Sequence, residues 1–195
     1  MKKTLFVTSR MSAKIGNWDN LGAHILLETL RLLGVDPGWA SCGVAVLTTS
    51  DGTTFKKERT WVASPKKTGF KQVIQEILSY GPFFSAGVER YVSYKGVTTS
   101  SSEDILMFIG AVKYALPLDP QMFRAIDWKS YIQQKLQVPS NEGKMDKVFS
   151  FAASSTILLG DKVKTDHEAD AVGIAYTAFR KVIYEKPSLL PTSHH

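Results

Sequence analysis

The chain has 195 residues, 44% of them hydrophobic, and its 24 Lys and Arg outweigh 18 Asp and Glu for a net charge of +6. That balance excludes a disordered chain and a disulfide-stapled miniature: Cys42 is the only cysteine, and a domain this long buries a core of its own. No apolar run is long enough to span a bilayer and the stretch after Lys2-Lys3 is too short for a signal peptide, so the expectation is a protein of a reducing, cytoplasmic compartment with a polyanionic partner.

Residues 1–30 carry little pattern and read as an extension, with a short helical turn from His24 to Leu30. Leu32, Leu33 and Val35 read as a short buried strand that ends on Asp36. Pro37-Gly38 then turns the chain, and Ser41 to Leu47 forms a second apolar strand in which Gly43 leaves room for close backbone approach. An ionised carboxylate ending a buried strand needs hydrogen bonds, an opposite charge or a metal. On these residues alone Asp36 is equally a cap on its own turn or part of a site. Asp51-Gly52 predicts a hairpin with a mirror-image turn, and a third strand within Thr54–Ala63 completes an antiparallel meander.

Pro65–Thr68, with Lys66 and Lys67, reads as a basic loop. It leads into a helix whose buried face is Phe70, Val73, Ile74, Ile77 and Leu78, stopped by Gly81-Pro82. Ser85 to Tyr91 is a fourth strand, reached by a helical crossover and therefore parallel to the first. Parallel neighbours bring Glu89 to the same sheet edge as Asp36, where open α/β folds place their ligands. A salt bridge to a nearby lysine is the plainer account of Glu89, and it ranks second.

A polar loop, Lys95 to Ser102, ends in a capping box at Ser100–Glu103. The helix from Glu103 to about Leu116 is apolar nearly all round, so both sides are expected to be covered, one of them by the N-terminal extension or by a second subunit. Beyond Pro117 and Pro120, Gln121 to Ile126 forms a fifth strand, and Asp127 caps a helix from Trp128 to Gln137. After a break at Val138–Gly143, a further helix turns Met145, Val148, Phe149, Ala152 and Thr156 inward and Lys144 and Lys147 outward, an arrangement most often merely solvated. Thr165 and Glu168 form a capping box at the start of the last helix, and its dipole suits Asp166 and Glu168 without invoking a site. His167 and Asp170, three residues apart on one face, are left over. An aspartate directed at an apolar interface requires something positive, and a divalent cation qualifies.

Asp36, Glu89, Asp170 and His167 together would supply hard oxygen donors and one imidazole, a set suited to Mg²⁺ or Mn²⁺ rather than zinc. Two such ions roughly 4 Å apart can activate water and stabilise the leaving oxygen in phosphodiester hydrolysis. In a basic protein this chemistry reads as a nuclease.

Three motifs carry a family resemblance. Leu33-Gly34-Val35-Asp36-Pro37-Gly38 resembles the first-strand motif of RuvC-type Holliday-junction resolvases, Val88-Glu89 their fourth-strand acidic motif, and His167-Glu168-Ala169-Asp170-Ala171 their C-terminal helix motif, which opens with aspartate or histidine. The resemblance runs in matching order from about Leu32 to Tyr184. It implies an α/β, ribonuclease H-like fold: a five-stranded mixed sheet, the first three strands antiparallel and the fourth and fifth parallel, with helices on both faces. That domain would occupy residues 31–186, between the extension 1–30 and a tail at 187–195. The resemblance further implies a divergent member, of a bacterial or phage-infected cell, that forms a homodimer and nicks four-way or other branched DNA symmetrically. It implies two Mg²⁺ or Mn²⁺ per subunit on Asp36, Glu89, His167 and Asp170. Lys144 matches a lysine near the scissile phosphate and Lys129 another. Tyr91 and Tyr94 both stand where family members carry an aromatic that inserts at the junction, and Lys66, Lys67 and Lys147 would add phosphate contacts.

Two other readings are weaker. A sugar-kinase- or actin-like ATPase domain shares an Asp-x-Gly hairpin, but that family duplicates the fold, for which 195 residues are too few. A non-catalytic junction-binding module would have no need of four ligand candidates.

Overall fold

The computed structural model describes residues 29–92, 100–138 and 146–185. Its centre is one sheet of five strands in the order β3-β2-β1-β4-β5. Strands β1 (Leu30–Asp36), β2 (Cys42–Thr49) and β3 (Lys56–Ala63) pair antiparallel, with a bulge between Val46 and Leu47. Strand β4 (Ser85–Glu89) lies parallel to β1, and β5 (Gln121–Phe123) parallel to β4. Both faces are covered, which is why β1, β2 and β4 read as nearly unbroken apolar runs. Leu33, Val35, Val44, Val46 and Val88 face a core shared with helices α2 (Phe70–Leu78) and α3 (Ser100–Ala115). Leu32, Ala45 and Leu47 face the other core, built from α4 (Ala125–Leu136), α5 (Asp146–Ile157) and α6 (Asp166–Glu185). The expected mixed sheet with helices on both faces is therefore the one observed, and its strand order places β1 and β4 side by side at the centre.

Helix α6 lies directly against the sheet. A Cβ at Gly34 would collide with the Ala171 carbonyl oxygen, one at Gly43 with the His167 carbonyl oxygen, and one at Gly87 would come within 2.9 Å of the Ile174 oxygen. Three adjacent strands thus present backbone where α6 presents backbone and alanines. This close approach sets the first turns of α6 over the ends of β1 and β4.

Several boundaries differ from the sequence reading. Leu30 opens strand β1 rather than closing a helical turn; the rest of that expected turn, His24 to residue 28, lies outside the described residues, as do most of the extension and all of the tail. Pro65–Thr68 is a short helix, α1, rather than a loop, with proline at its first position where a missing N–H costs nothing. The β2–β3 connection is longer than a mirror-image turn: Asp51 Oδ1 accepts from the N–H groups of Thr53 (2.8 Å) and Thr54 (2.7 Å), so its side chain organises the loop. Strand β4 stops at Glu89, short of the expected Tyr91. Strand β5 stops at Phe123 because Arg124 already caps α4, its backbone N–H bonded to Asp127 Oδ2 at 3.2 Å; Asp127 sits inside the first turn rather than at its cap. In α5 the buried face is Phe149, Ser150, Ala153, Ser154 and Ile157, while Val148 and Thr156 are exposed. In α3, Phe108, Ile109 and Val112 are buried, whereas Leu106 (49%), Met107 (57%) and Tyr114 (94%) are exposed: this helix is covered on one side only among the described residues.

Candidate active site

Strand register explains how two acids reach one edge. Val35 pairs with Val88 across the parallel β1–β4 ladder, so Asp36 and Glu89 follow as the next residues on neighbouring strands. The pleat sends Gly34 and Asp36, and likewise Gly87 and Glu89, to the face on which α6 rests. At the start of α6, the capping box forms as expected: Glu168 N–H bonds to Thr165 Oγ1 (3.2 Å), and Glu168 Oε2 accepts from the N–H groups of Thr165 (3.1 Å) and Lys164 (2.7 Å). Buried Glu168 is thereby committed to the helix end. Asp166 is committed as well, to Lys147 Nζ at 2.7 Å.

The remaining pair of this turn enters the site. His167 Nδ1 lies 2.7 Å from Asp36 Oδ2, so Asp36 is held by the imidazole, which favours the site reading over the turn cap. Asp170 accepts from the hydroxyl of Ser150 on α5 and faces Lys129 Nζ on α4 at 3.8 Å. Glu89 Oε2 accepts from the indole Nε1 of Trp128 at 2.8 Å, so a tryptophan and not a lysine is its direct partner. Burial, opposed in part by that indole, and then the charges of Asp36 and Asp170 push Glu89 up to about 7. The hydrogen bond to Asp36 raises His167 above its ordinary range. The charges of Asp36 and Asp170 thus act on both Glu89 and His167 at the common edge of β1, β4 and α6.

Among the described residues no three His, Cys, Asp or Glu side chains are gathered tightly enough to hold a metal ion. Each carboxylate instead rests on a protein donor: His167, Trp128 or Ser150. The donor types nevertheless fit Mg²⁺ or Mn²⁺, because hard oxygen dominates and no thiolate competes. A bound cation would favour the charged form of Glu89, which burial and then the charges of Asp36 and Asp170 disfavour.

No protein-family model matches the sequence, and no curated protein matches it. Solved structures do. A Thermus thermophilus RuvC structure aligns with a TM-score of 0.60 over 80% of this chain and 97% of its own, at 19% identity. RuvC from that organism in complex with Holliday junction substrate aligns at 0.58 over 79% and 96%, with 18% identity. The yeast mitochondrial Holliday junction resolvase Ydc2 aligns at 0.51 over 85% and 88%, with 12% identity. The fold is that of RuvC. The resemblance carried by three short motifs therefore extends to the whole RuvC-like architecture.

Within this RuvC-like frame, the other expected residues scatter more widely. Lys129 reaches Asp170 and also sits over the Trp128 ring, 4.9 Å from its centroid. Lys66 and Lys67 are exposed on α1, and the Lys66 N–H bonds to the Trp39 carbonyl at 3.0 Å, tying that basic helix to the turn that follows Asp36. Tyr91 is partly buried and its hydroxyl meets Ser102 Oγ at 2.8 Å. Lys144 and Tyr94 lie outside the described residues. Trp128 and Ser150 escape sequence reasoning as site residues, because each reaches its acid on a separate element, Trp128 from α4 to Glu89 on β4 and Ser150 from α5 to Asp170 on α6.

Proposed function

We propose that this protein is a structure-selective, metal-dependent endodeoxyribonuclease that nicks four-way DNA junctions symmetrically as a homodimer, with residues 31–186 as its nuclease domain. One observation carries the reading: Asp36, Glu89, Asp170 and His167, from three separate elements, meet at one edge of a RuvC-like sheet. These four would hold two Mg²⁺ or Mn²⁺ per subunit. Bound cations of this kind activate water and stabilise the leaving oxygen of a phosphodiester. The chain's own contribution is positional. His167 orients Asp36, and Lys129 adds a positive charge beside Asp170 that attracts a phosphate without obliging it to shed its position among the acids. Lys66 and Lys67 extend that attraction along α1, and Lys144, Lys147, Tyr91 and Tyr94 complete the proposed DNA contacts. The exposed Leu106, Met107 and Tyr114 of α3 offer the apolar face on which a second copy would pack. No described helix is long and apolar enough to cross a membrane. Buried, unpaired Cys42 suits a reducing compartment, which we assign to the cytoplasm of a bacterial or phage-infected cell.

The test is incubation of a labelled four-way junction with the protein and Mg²⁺, alongside linear duplex and ATP hydrolysis. Paired nicks in opposing strands are expected, with little cutting of duplex and no ATP turnover. Asp36→Asn should bind the junction at least as well as the parent, because it removes a negative charge near phosphate, and should nick at least 100-fold more slowly, on the order of a missing metal ligand. Near-parental nicking by Asp36→Asn overturns the assignment.

A further inference from the structure

We infer that Trp128 and Ser150 are positioning residues: an indole N–H and a hydroxyl, supplied by α4 and α5, fix the carboxylates of Glu89 and Asp170 in the orientation from which a divalent cation is bound. The inference rests on the metal-dependent reading above and names residues that reading does not need. Trp128 is fully buried, and its ring is pinned by α6: a Cβ at Gly173 would come within 2.6 Å of it. An indole locked in this way can point its N–H in one direction only, and that direction is Glu89 Oε2, 2.8 Å away. The contrast with Trp61 is instructive, since its buried Nε1 has no hydrogen-bond partner. The fold therefore tolerates an idle indole N–H, yet at Trp128 it commits one to a site carboxylate. Ser150 repeats the arrangement. It is buried on a helix face otherwise made of small and apolar residues, and its hydroxyl donates to Asp170 Oδ1. In each case one carboxylate oxygen is held by a neutral donor, Oε2 of Glu89 and Oδ1 of Asp170, while Oδ2 of Asp170 faces Lys129 Nζ at 3.8 Å. Neutral donors suit this task, because they orient a carboxylate without competing for its charge.

The experiment uses the full chain without DNA. Mn²⁺ binding is followed by the EPR signal of the free ion for the parent, Trp128→Phe and Ser150→Ala. Both variants are expected to bind Mn²⁺ 10- to 100-fold more weakly, the usual cost of removing a donor behind a metal ligand. Junction nicking should recover as Mn²⁺ is raised, the half-saturating concentration moving by the same factor, while junction affinity in Ca²⁺ stays constant. Should Trp128→Phe fail to fold, Ser150→Ala, which deletes one oxygen, carries the test by itself. A variant that melts at lower temperature but keeps the parental Mn²⁺ affinity shows that the side chain only packs, and overturns the inference. A parent that binds Mn²⁺ with the expected losses in both variants, yet cuts no DNA, upholds the positioning and overturns the nuclease. A parent that binds no Mn²⁺ overturns the positioning.

Discussion

Burial and the neighbouring charges of Asp36 and Asp170 raise Glu89 to about 7, so in the absence of a cation about half of the molecules keep this proton at neutral pH. A carboxyl whose folded pKa lies above its unfolded one loses stability as pH rises from the ordinary carboxylate range through the folded value. Glu89→Gln should therefore melt at higher temperature than the parent at pH 8 in EDTA, by about 1–3 kcal/mol, with the two converging near pH 4. Added Mg²⁺ should close the gap from the parent's side, since only the parent retains the carboxylate. Scanning fluorimetry at both pH values checks this, and a less stable Gln variant at pH 8 would mean that the buried charge is well compensated. His167 adds a second titration, because its bond to Asp36 raises it and a histidine must be neutral to ligate. If Glu89 and His167 ligate as proposed, two protons must leave before a cation binds, and below neutrality the logarithm of the nicking rate should climb with a slope approaching two. His167→Asp should retain much of the activity with a slope nearer one, and His167→Ala should retain little. A pH–rate profile of the three proteins decides whether the imidazole ligates or merely caps.

Helix α6 makes the site possible at the level of elements, and it does so through what three strands lack. Gly34, Gly43 and Gly87 let its backbone settle on the sheet, so that His167 and Asp170 meet Asp36 and Glu89. Gly34→Ala forces a methyl group against the Ala171 carbonyl, two strand positions from Asp36. It should cost about 1–3 kcal/mol by overpacking and lift α6 enough to weaken the His167–Asp36 contact. Nicking should fall further than the loss of folded protein accounts for, as measured by activity per folded molecule at a temperature well below the melting transition. Room beside Gly43 was legible in the sequence, as were the antiparallel pairing of the first three strands, the parallel β1–β4 pair and the position of Asp36 and Glu89 at neighbouring strand ends, because each rests on local periodicity or a short connection, while the place of the fifth strand came with the family resemblance. The inward face of α5 was not legible. Hydropathy favours Val148 over Ser150, yet Ser150 is buried because it has an acid to bind, and Val148 is exposed. The Trp128–Glu89 bond was hidden for a related reason: it depends on how α4 is rotated against α6 by Gly173, which no spacing within either helix records.

For the whole molecule, the proposed activity asks how a basic chain of this size would prefer one DNA shape. Its net charge of +6 attracts any duplex, and phosphate contacts make that attraction steeply salt-dependent. Charge alone cannot distinguish a junction from a linear duplex, because both offer phosphates at the same density; two sites at a fixed separation can, because a four-way junction presents symmetric strands at matching positions. In the proposed dimer, the exposed Leu106, Met107 and Tyr114 would supply the place for a second subunit, on a helix whose opposite side already packs on the sheet. Leu106→Glu should leave the melting temperature of the subunit nearly unchanged, since the side chain is half exposed, and should convert a dimer to a monomer in sedimentation. The monomer should still nick, since the four site residues come from one chain, but its two nicks should become uncoupled and its preference for the junction over excess linear duplex should largely disappear. Replacing Lys66 and Lys67 by Ala in the dimer should act differently, weakening all DNA binding alike and reducing the salt slope by about 1 for each phosphate that is no longer neutralised. Sedimentation, a coupled-nicking assay on a supercoiled cruciform and competition gels over a salt series separate the two effects. A parent that sediments as a monomer while still pairing its nicks would place the source of symmetry in the DNA and remove α3 from the account.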